Sequence, residues 1–156
     1  MKKAIYAGSF DPFTIGHLDI VKRSSKLFDE VHIVIGINAK KKRTYNANNM
    51  VCAIKETLNK EGVSNCIVTT YDDLIAKYCL ENDISYTIRG LRNSMDYEYE
   101  ENIAEVNKLI NPTLETIYLR TNHSAISSSM VKEMASFNVD IKEFVSEPVL
   151  NAMNLN

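Results

Sequence analysis

Apolar and polar residues follow two different spacings along this chain, in alternating stretches. Short runs rich in apolar and β-branched residues predict strands, because such side chains suit a sheet covered on both faces. These runs lie at residues 4–7, 31–37, 66–68, 86–88 and 116–119. The stretches between them place apolar residues at helical spacing; Leu18, Val21 and Phe28, for example, fall on one helix face.

Helices are predicted from this spacing together with capping residues. They cover residues 17–28, 51–58, 74–80, 96–109 and 127–135, and a last short helix begins at Ser146. Residues 140–143, Asp-Ile-Lys-Glu, match a capping box and predict one further helix start. Strand and helix thus alternate along the chain. This predicts an α/β fold with a doubly wound five-stranded parallel sheet, in a single domain of residues 1–156.

The predicted topology directs attention to the loops at one edge of the sheet. In doubly wound sheets, ligands bind outside the carboxyl ends of the strands. Four segments follow predicted strands at that edge, namely residues 8–17, 38–45, 89–92 and 121–129. We therefore expect a functional site to be assembled from these segments.

Composition narrows the class of protein. With 45% hydrophobic and 24% charged residues, the 156-residue chain has the balance of a soluble globular protein. The net charge of -2 argues against a dedicated DNA-binding protein, which would usually be basic. The three cysteines form no C-x-x-C pair, which favours reduced thiols over a zinc site. No apolar run approaches the about 18 residues of a membrane span, so we expect a cytoplasmic protein without membrane or nucleic-acid partners.

The first segment has the features of a phosphate-binding loop. Residues 8–17 read Gly-Ser-Phe-Asp-Pro-Phe-Thr-Ile-Gly-His and lead directly into a predicted helix. Gly8 and Gly16 allow a ligand close to the backbone, and a helix start offers unpaired N–H donors to a phosphate. His17 can donate to a phosphoryl oxygen, although a histidine at a helix start is more often a capping or packing residue. The segment matches neither the P-loop motif nor G-x-G-x-x-G.

The other three segments add positive charge and hydroxyl groups. Residues 40–43 are Lys-Lys-Lys-Arg, which indicates either a solvated loop or an arm that closes over an anionic substrate. Arg89 and Arg92 are three residues apart, so both can face one pocket, or each can pair with the acidic stretch 96–101. Residues 127–129 are three serines at a helix start, which suits either a cap or a second anion site.

These features together predict a site for a polyanionic nucleotide and a second phosphorylated ligand. The acidic residues of 96–101 do not share one helix face, so we expect no metal held by protein ligands alone; magnesium would arrive on the nucleotide's phosphates. No spacing of Ser or Cys with His indicates an activated nucleophile, which favours direct displacement over a covalent intermediate.

The motifs resemble a known family. Residues 8–12 and 14–17 resemble the paired signature of the T/HxGH nucleotidylyltransferases. Residues 88–92, 96–100 and 126–129 (Ile-Arg-Gly-Leu-Arg, Asp-Tyr-Glu-Tyr-Glu and Ile-Ser-Ser-Ser) are similar to bacterial phosphopantetheine adenylyltransferases in particular. The resemblance implies a Rossmann-like fold, a homohexamer, magnesium, and adenylyl transfer from ATP to 4'-phosphopantetheine. The products would be pyrophosphate and dephospho-coenzyme A, in the penultimate step of coenzyme A synthesis, and coenzyme A is a further candidate ligand, as product or inhibitor.

The resemblance also implies roles for individual residues. The catalytic residues would be His17, Lys41 and Arg92. ATP would be bound by Ser9, Phe10, His17, Gly90, Leu91, Arg92, Glu100, His123, Ser124, Ala125, Ile126, Ser127, Ser128 and Ser129. Phosphopantetheine would be bound by Ser9, Lys41, Leu74, Ile75, Arg89 and Asn107.

Three alternatives stay open on the sequence alone. Another member of the superfamily would adenylylate nicotinamide mononucleotide or cytidylylate glycerol phosphate. A nucleotide-binding regulator would perform no chemistry, although it would not need the histidine, the lysine and both arginines together. An RNA-binding protein would use residues 40–43 with Tyr45, and the net charge of -2 argues against it.

Overall fold

The chain folds around one five-stranded sheet. The computed structural model describes residues 1–155, with the backbone alone at residues 95 and 99. The strands are β1 (Lys3–Gly8), β2 (Glu30–Gly36), β3 (Cys66–Tyr71), β4 (Tyr86–Leu91) and β5 (Glu115–Arg120). The helices are α1 (Ile15–Leu27), α2 (Ala47–Lys60), α3 (Ile75–Glu81), α4 (Ser94–Ile110), α5 (Ser128–Ser136) and α6 (Glu147–Met153). Each predicted strand is present, with bounds shifted or extended by a few residues.

All neighbouring strands are parallel, in the order β3-β2-β1-β4-β5. The chain builds the sheet outward from β1 to β3 and then adds β4 and β5 on the other side of β1. The strand order therefore reverses between β1 and β4, the place where ligands bind in doubly wound sheets. The predicted five-stranded parallel sheet is confirmed, whereas the single domain of residues 1–156 stays a prediction.

The central strand β1 is buried on both faces. Ala4 and Tyr6 belong to one cluster of buried side chains, and Ile5 and Ala7 belong to another. Successive side chains of a strand point to opposite faces, so the two clusters lie on opposite sides of the sheet. Helices α1, α2, α5 and α6 contribute to the first cluster, and α3 contributes to the second. This two-sided burial explains the continuous apolar runs in the sequence.

Strands β1 and β4 separate toward their carboxyl ends. β1 pairs with β2 along its whole length, but its register with β4 consists of Ala4–Tyr86 and Ile5–Thr87 in the part of the chain that the structure describes. Both strands run on beyond these pairs. A crevice therefore opens between them, at the edge of the sheet where the sequence places its candidate segments.

His32 is a buried polar residue within the apolar run of β2. Its Nδ1 lies 2.8 Å from the hydroxyl of Tyr78, and its Nε2 lies 2.7 Å from Oε1 of Glu30. Both ring nitrogens thus have partners. These contacts offset the cost of burying an imidazole in the sheet.

The predicted helix start at residues 140–143 is wrong. The N–H of Lys142 donates to Oδ1 of Asp140 at 3.0 Å, and the N–H of Phe144 donates to the carbonyl of Ile141 at 2.9 Å. The aspartate therefore accepts from the residue two positions on, as in an Asx turn, instead of capping a helix. The predicted last helix at Ser146 is confirmed, because the side chain of Ser146 caps α6 by accepting from the N–H of Val149.

Replacement of a core residue beside the crevice tests this packing. Ile88 of β4 is 0% exposed, and we expect Ile88→Ala to lower the free energy of unfolding by about 2–5 kcal/mol, because the removed methyl groups leave a cavity. Ile67→Ala on the edge strand β3, where the residue is 44% exposed, is the matched control and should cost under about 1 kcal/mol. Urea unfolding followed by circular dichroism measures both values. Equal losses would contradict the assignment of Ile88 to the core.

Candidate active site

A cavity of about 330 Å³ occupies the crevice between β1 and β4. Its volume is in the range of small-molecule sites, roughly 300–1,000 Å³. The strand ends and the starts of α1 and α5 all contribute to its wall. Of the residues predicted from sequence, the cavity brings together Ser9, Phe10, His17, Arg89, Gly90, Arg92, Ile126, Ser127 and Ser128.

The start of α1 orients His17 through two reciprocal hydrogen bonds. Thr14 is the N-cap residue, and its Oγ1 accepts from the N–H of His17 at 3.4 Å. In return, the N–H of Thr14 donates to Nδ1 of His17 at 2.9 Å. The arrangement is a capping box in which histidine takes the place of the usual Glu or Gln. The helix start itself therefore fixes the imidazole.

The protonation state of His17 follows from this contact and from burial. Because Nδ1 accepts a hydrogen bond, the proton of the neutral ring is on Nε2. Burial, with a smaller contribution from the positive charge of Arg92, lowers the pKa of His17 to about 4. At neutral pH the free protein thus presents an uncharged ring with one N–H donor at the cavity wall.

An aromatic cluster supports the ring of His17. The ring centroids of Phe10, Phe13 and Tyr6 lie 4.9, 5.5 and 6.3 Å from its centroid. Phe10 has a φ of 43°, a strained conformation for a residue with a side chain. A Cβ at Gly8 would lie 3.2 Å from the Phe10 ring, so glycine leaves room for this arrangement. Phe10 is 3% exposed, and its ring packs against Tyr6 and Phe13 as well as the imidazole.

Arg89 bridges the two separated strands. Its guanidinium donates to the carbonyl of Ala7 on β1 at 2.9 Å. It also donates to both carboxylate oxygens of Glu100, at 2.6 and 2.8 Å. Glu100 was predicted to bind ATP; the structure places it on Arg89, 9% exposed, where a bidentate pair is stronger than at an open surface.

Arg92 is paired with a carboxylate as well. Its Nε lies 3.1 Å from Oδ2 of Asp96, which also accepts from the N–H of Arg92 at 2.9 Å. Both ion pairs considered from the sequence therefore form, and both arginines still line the cavity. Leu91, between them, faces a neighbouring cavity of about 500 Å³ that shares Arg92.

The start of α5 is hydrogen-bonded to the loop between β1 and α1, residues 9–14, which we call the first loop. The hydroxyl of Ser128 donates to the carbonyl of Pro12 at 2.8 Å. Ser127 is the N-cap, since its Oγ accepts from the N–H of Met130 at 3.1 Å. Two helix starts, those of α1 and α5, thus meet at one cavity. Helix starts favour negatively charged groups.

The loop after β2 approaches the first loop at one end. Residues 40–42, three lysines, are exposed. Arg43 and the two residues after it contact residues 9–11 of the first loop. The loop therefore combines a solvated segment with an anchored one, and the arm that closes over an anionic substrate stays a prediction.

The remaining predicted residues lie outside the lining of the cavity. They lie at the end of β4, at the start of α3, on α4, in the loops after β2 and before α5, and in α5 itself. Their binding roles stay predictions. They are Lys41, Leu74, Ile75, Leu91, Glu100, Asn107, His123, Ser124, Ala125 and Ser129.

Apart from Gly8 and Gly16, five residues that line the cavity received no role from the sequence, namely Tyr6, Ala7, Thr14, Ile20 and Thr121. For Thr14 a sequence signal existed. It stands three residues before His17, the spacing of an N-cap residue and its capping-box partner. Tyr6 gave no signal, because it belongs to the apolar run of β1. Burial raises the pKa of Tyr6, with Arg89 opposing and Glu100 adding to the effect, so its hydroxyl stays protonated.

The wall of the cavity suits anions better than a metal. Within residues 1–155, apart from the side chains at 95 and 99, no group of three or more His, Cys, Asp and Glu side chains is arranged to hold a metal ion. The carboxylates of Glu100 and Asp96 are engaged by the two arginines. Donors rather than acceptors thus dominate the functional groups at the wall.

The chain is similar to known nucleotidylyltransferases. Residues 5–134 match the family model described as cytidylyltransferase-like. The phosphopantetheine adenylyltransferase of Shouchella clausii is 42% identical over 98% of this chain and 96% of that protein. The one of Staphylococcus carnosus is 40% identical over 97% and 94%. A solved structure from Vibrio parahaemolyticus, provisionally named a nicotinate-nucleotide adenylyltransferase, has a TM-score of 0.69 over 98% of this chain and 92% of that one; its 16% identity shows a shared fold alone.

The assigned state of His17 can be measured by nitrogen-detected NMR of the free protein. We expect the ring to carry its proton on Nε2 at pH 7 and to titrate with a midpoint near pH 4, because burial disfavours the charged form. Urea-unfolded protein, where histidines titrate near pH 6.5, is the control. The unfolded chain binds this proton first as the pH falls, so the contribution of His17 lowers the stability of the fold progressively from about pH 6.5 to 4, and the loss persists below pH 4. A folded-state midpoint near 6.5 would contradict the assignment.

Proposed function

Since the chain belongs to the phosphopantetheine adenylyltransferases, within the cytidylyltransferase-like family, we propose how its cavity serves their reaction. The protein transfers the adenylyl group of ATP to 4'-phosphopantetheine, with dephospho-coenzyme A and pyrophosphate as products. One observation carries the proposal: His17, Arg89 and Arg92 converge on a single cavity beside two helix starts. This arrangement supports a site where two anionic reactants meet.

The reaction is a single displacement at the α-phosphorus of ATP. A phosphate oxygen of phosphopantetheine forms a bond to the α-phosphorus while the bond from that phosphorus to the bridging oxygen of pyrophosphate breaks. The attacking phosphate is already an anion at neutral pH, so no general base has to remove a proton from it. The protein contributes alignment of the two reactants and stabilisation of the negative charge.

His17 stabilises the phosphoryl group that is transferred. Its Nδ1 is held by the N–H of Thr14, so Nε2–H is the group that donates to a phosphoryl oxygen. The aromatic cluster and the helix start keep the ring in place, and the donor needs no rearrangement during the reaction. Phosphates beside the ring favour its charged form, so bound ATP raises the pKa of His17 from its low value.

The arginines and the lysine hold the two reactants. Arg92 binds ATP, and Arg89 and Lys41 bind the phosphate of phosphopantetheine, each cation offsetting repulsion between the reactants. Ser9, at the exposed end of the first loop, contacts both. The remaining contacts with ATP come from Phe10, Gly90, Leu91, Glu100 and residues 123–129. Those with the pantetheine arm come from Leu74, Ile75 and Asn107.

Magnesium enters this scheme as part of the substrate. The carboxylates that adjoin the cavity are paired with Arg89 and Arg92, which supports an ion held by the phosphates of ATP and a few protein atoms.

We also propose a homohexamer, inhibition by coenzyme A, and a cytoplasmic location where ATP is supplied. None of the helices in residues 1–155 is long and apolar enough to cross a membrane.

The choice of substrates tests the function directly. With ATP and 4'-phosphopantetheine we expect release of pyrophosphate and formation of dephospho-coenzyme A in equal amounts. We expect at most background release with nicotinamide mononucleotide as acceptor, or with CTP and glycerol 3-phosphate. Coupled pyrophosphate detection and chromatography of the products measure both outcomes. Turnover with another acceptor and none with phosphopantetheine would refute the proposal.

Substitution of His17 tests its role. We expect His17→Ala to lower kcat by about 10²- to 10³-fold, as loss of one preorganised donor does, with little change in the affinity for ATP. Lys22→Ala is the control on the same helix, because its side chain pairs with Glu61 away from the cavity. Steady-state kinetics and calorimetric titration with a non-hydrolysable ATP analogue give both quantities. Near-normal turnover of His17→Ala would show that the role is assigned to the wrong residue.

A further inference from the structure

Asp11 is a buried carboxylate in the loop between β1 and α1, outside the lining of the cavity. It is 6% exposed. Its Oδ2 accepts from the backbone N–H of Thr44 at 2.9 Å, and its Oδ1 accepts from the N–H of Tyr45 at 2.9 Å. Both donors belong to the loop between β2 and α2. One side chain of the first loop therefore holds the backbone of the second.

Arg43 makes the reciprocal contact. Its guanidinium donates to the backbone carbonyls of Ser9 and, at 3.4 Å, of Phe10, and it lies 3.6 Å from Oδ1 of Asp11. Its Nε donates to the carbonyl of Tyr45 at 3.0 Å. The carboxylate of Asp11 in the first loop thus accepts from backbone N–H groups of the second loop. The guanidinium of Arg43 in the second loop donates to backbone carbonyls of the first. We call these contacts the Asp11–Arg43 clasp.

A charged carboxylate fits this place better than a neutral amide. Its two oxygens face two N–H donors, the guanidinium of Arg43 and the amino group of Lys132 at 3.6 Å. Hydrogen bonds to an ionised acceptor are roughly twice as strong as those between neutral groups. An asparagine at this position would turn an NH₂ group toward another donor or a cation. The clasp therefore depends on the charge of Asp11.

The clasp fixes one end of the lysine segment, residues 40–42. The other end of the segment is a turn at Asn38. The backbone carbonyl of Asn38 accepts from the N–H of Lys41 at 3.0 Å, and its side-chain Oδ1 accepts from the N–H of Lys40 at 3.0 Å. Two fixed points on either side leave the exposed lysines little backbone freedom. Phe10, which has a positive φ, lies inside the clasp, so the same contacts hold the strained part of the first loop.

We propose that Asp11 and Arg43 are positioning residues that set the distance between Lys41 and the first loop. Neither lines the cavity, and both act through the segment that carries Lys41. The proposal rests on the proposed function, because it gives Lys41 a substrate phosphate to bind. A misplacement of about 1 Å can cost about 100-fold in rate, so loss of the clasp lowers turnover although every substrate-contacting group is still present.

A double-substitution cycle tests whether Asp11 acts through Lys41. We expect Asp11→Asn to raise the KM for phosphopantetheine and lower kcat, with kcat/KM reduced by about 10- to 100-fold and the KM for ATP changed by under about threefold. In the Lys41→Met background, Asp11→Asn should lower kcat/KM by under about threefold, because the segment that Asp11 positions has already lost its function. A purely structural role would give independent, multiplying effects. That result would overturn the proposal.

Limited proteolysis gives a readout that does not depend on turnover. Trypsin cleaves after lysine and arginine, and residues 40–43 offer four such bonds in succession. We expect Asp11→Asn to speed cleavage in this segment by at least about tenfold, because the local opening becomes easier. Cleavage after Lys142, an exposed side chain in a turn that contributes no residue to the clasp, is the control within the same chain and should keep its rate. Unchanged cleavage at residues 40–43 in the variant would overturn the clasp.

Two further variants separate the clasp from general stability. Asp29→Asn is the control for the amide substitution itself, since Asp29, an exposed residue near the amino ends of the strands, also accepts a backbone N–H, that of Lys2 at 2.6 Å. It should change neither kinetics nor cleavage. If Asp11→Asn does not fold, Arg43→Lys keeps the positive charge but loses the fork that reaches two carbonyls, and it should show the same pattern. Normal kinetics of folded Arg43→Lys would refute the positioning role.

The outcomes distinguish this proposal from the proposed function. If the unsubstituted protein forms no dephospho-coenzyme A, the proposed function fails, whatever the cleavage rates are. If it is active and Asp11→Asn keeps its kcat/KM for phosphopantetheine, the positioning role fails while the function holds. Faster cleavage together with a non-additive loss of kcat/KM supports both.

Discussion

Neighbouring parallel strands normally exchange hydrogen bonds along their length, yet β1 and β4 part after two pairs in the described chain, and the site occupies the gap between them. A buried backbone carbonyl without a partner would make such a gap costly. The guanidinium of Arg89 meets the carbonyl of Ala7 and keeps it satisfied. The residue that allows the sheet to open is thus also a cation at the wall of the opening.

The first loop organises the other segments around this gap. Ser128 binds the carbonyl of Pro12, Arg43 binds the carbonyls of residues 9 and 10, and Asp11 binds the loop after β2. Most of these bonds involve backbone atoms of residues 9–12. The conformation of four consecutive residues therefore determines where two other loops lie. The helix that follows them fixes His17 through Thr14 in the same way.

The sequence predicted the strands and the edge of the sheet where the cavity opens, because both depend on local patterns: β-branched runs buried on two faces, and loops at the carboxyl ends of parallel strands. It did not predict the role of Asp11, whose partners Thr44 and Tyr45 lie 33 and 34 residues away in sequence. It failed at Asp140 because the aspartate that opens a capping-box pattern can form an Asx turn equally well. The sequence indicates an ion pair for Arg89 with the acidic stretch 96–101, but not its burial, which depends on how α4 packs against the sheet.

The two arginines of the cavity each hold a carboxylate, Glu100 on Arg89 and Asp96 on Arg92. In the proposed function, a phosphate that enters meets two cations whose charge is already offset in part by carboxylates, and it shares the five N–H donors of each guanidinium with them. The net attraction between guanidinium and phosphate is therefore weaker than for an unpaired arginine. A weaker attraction favours ligands that are released again, as turnover requires.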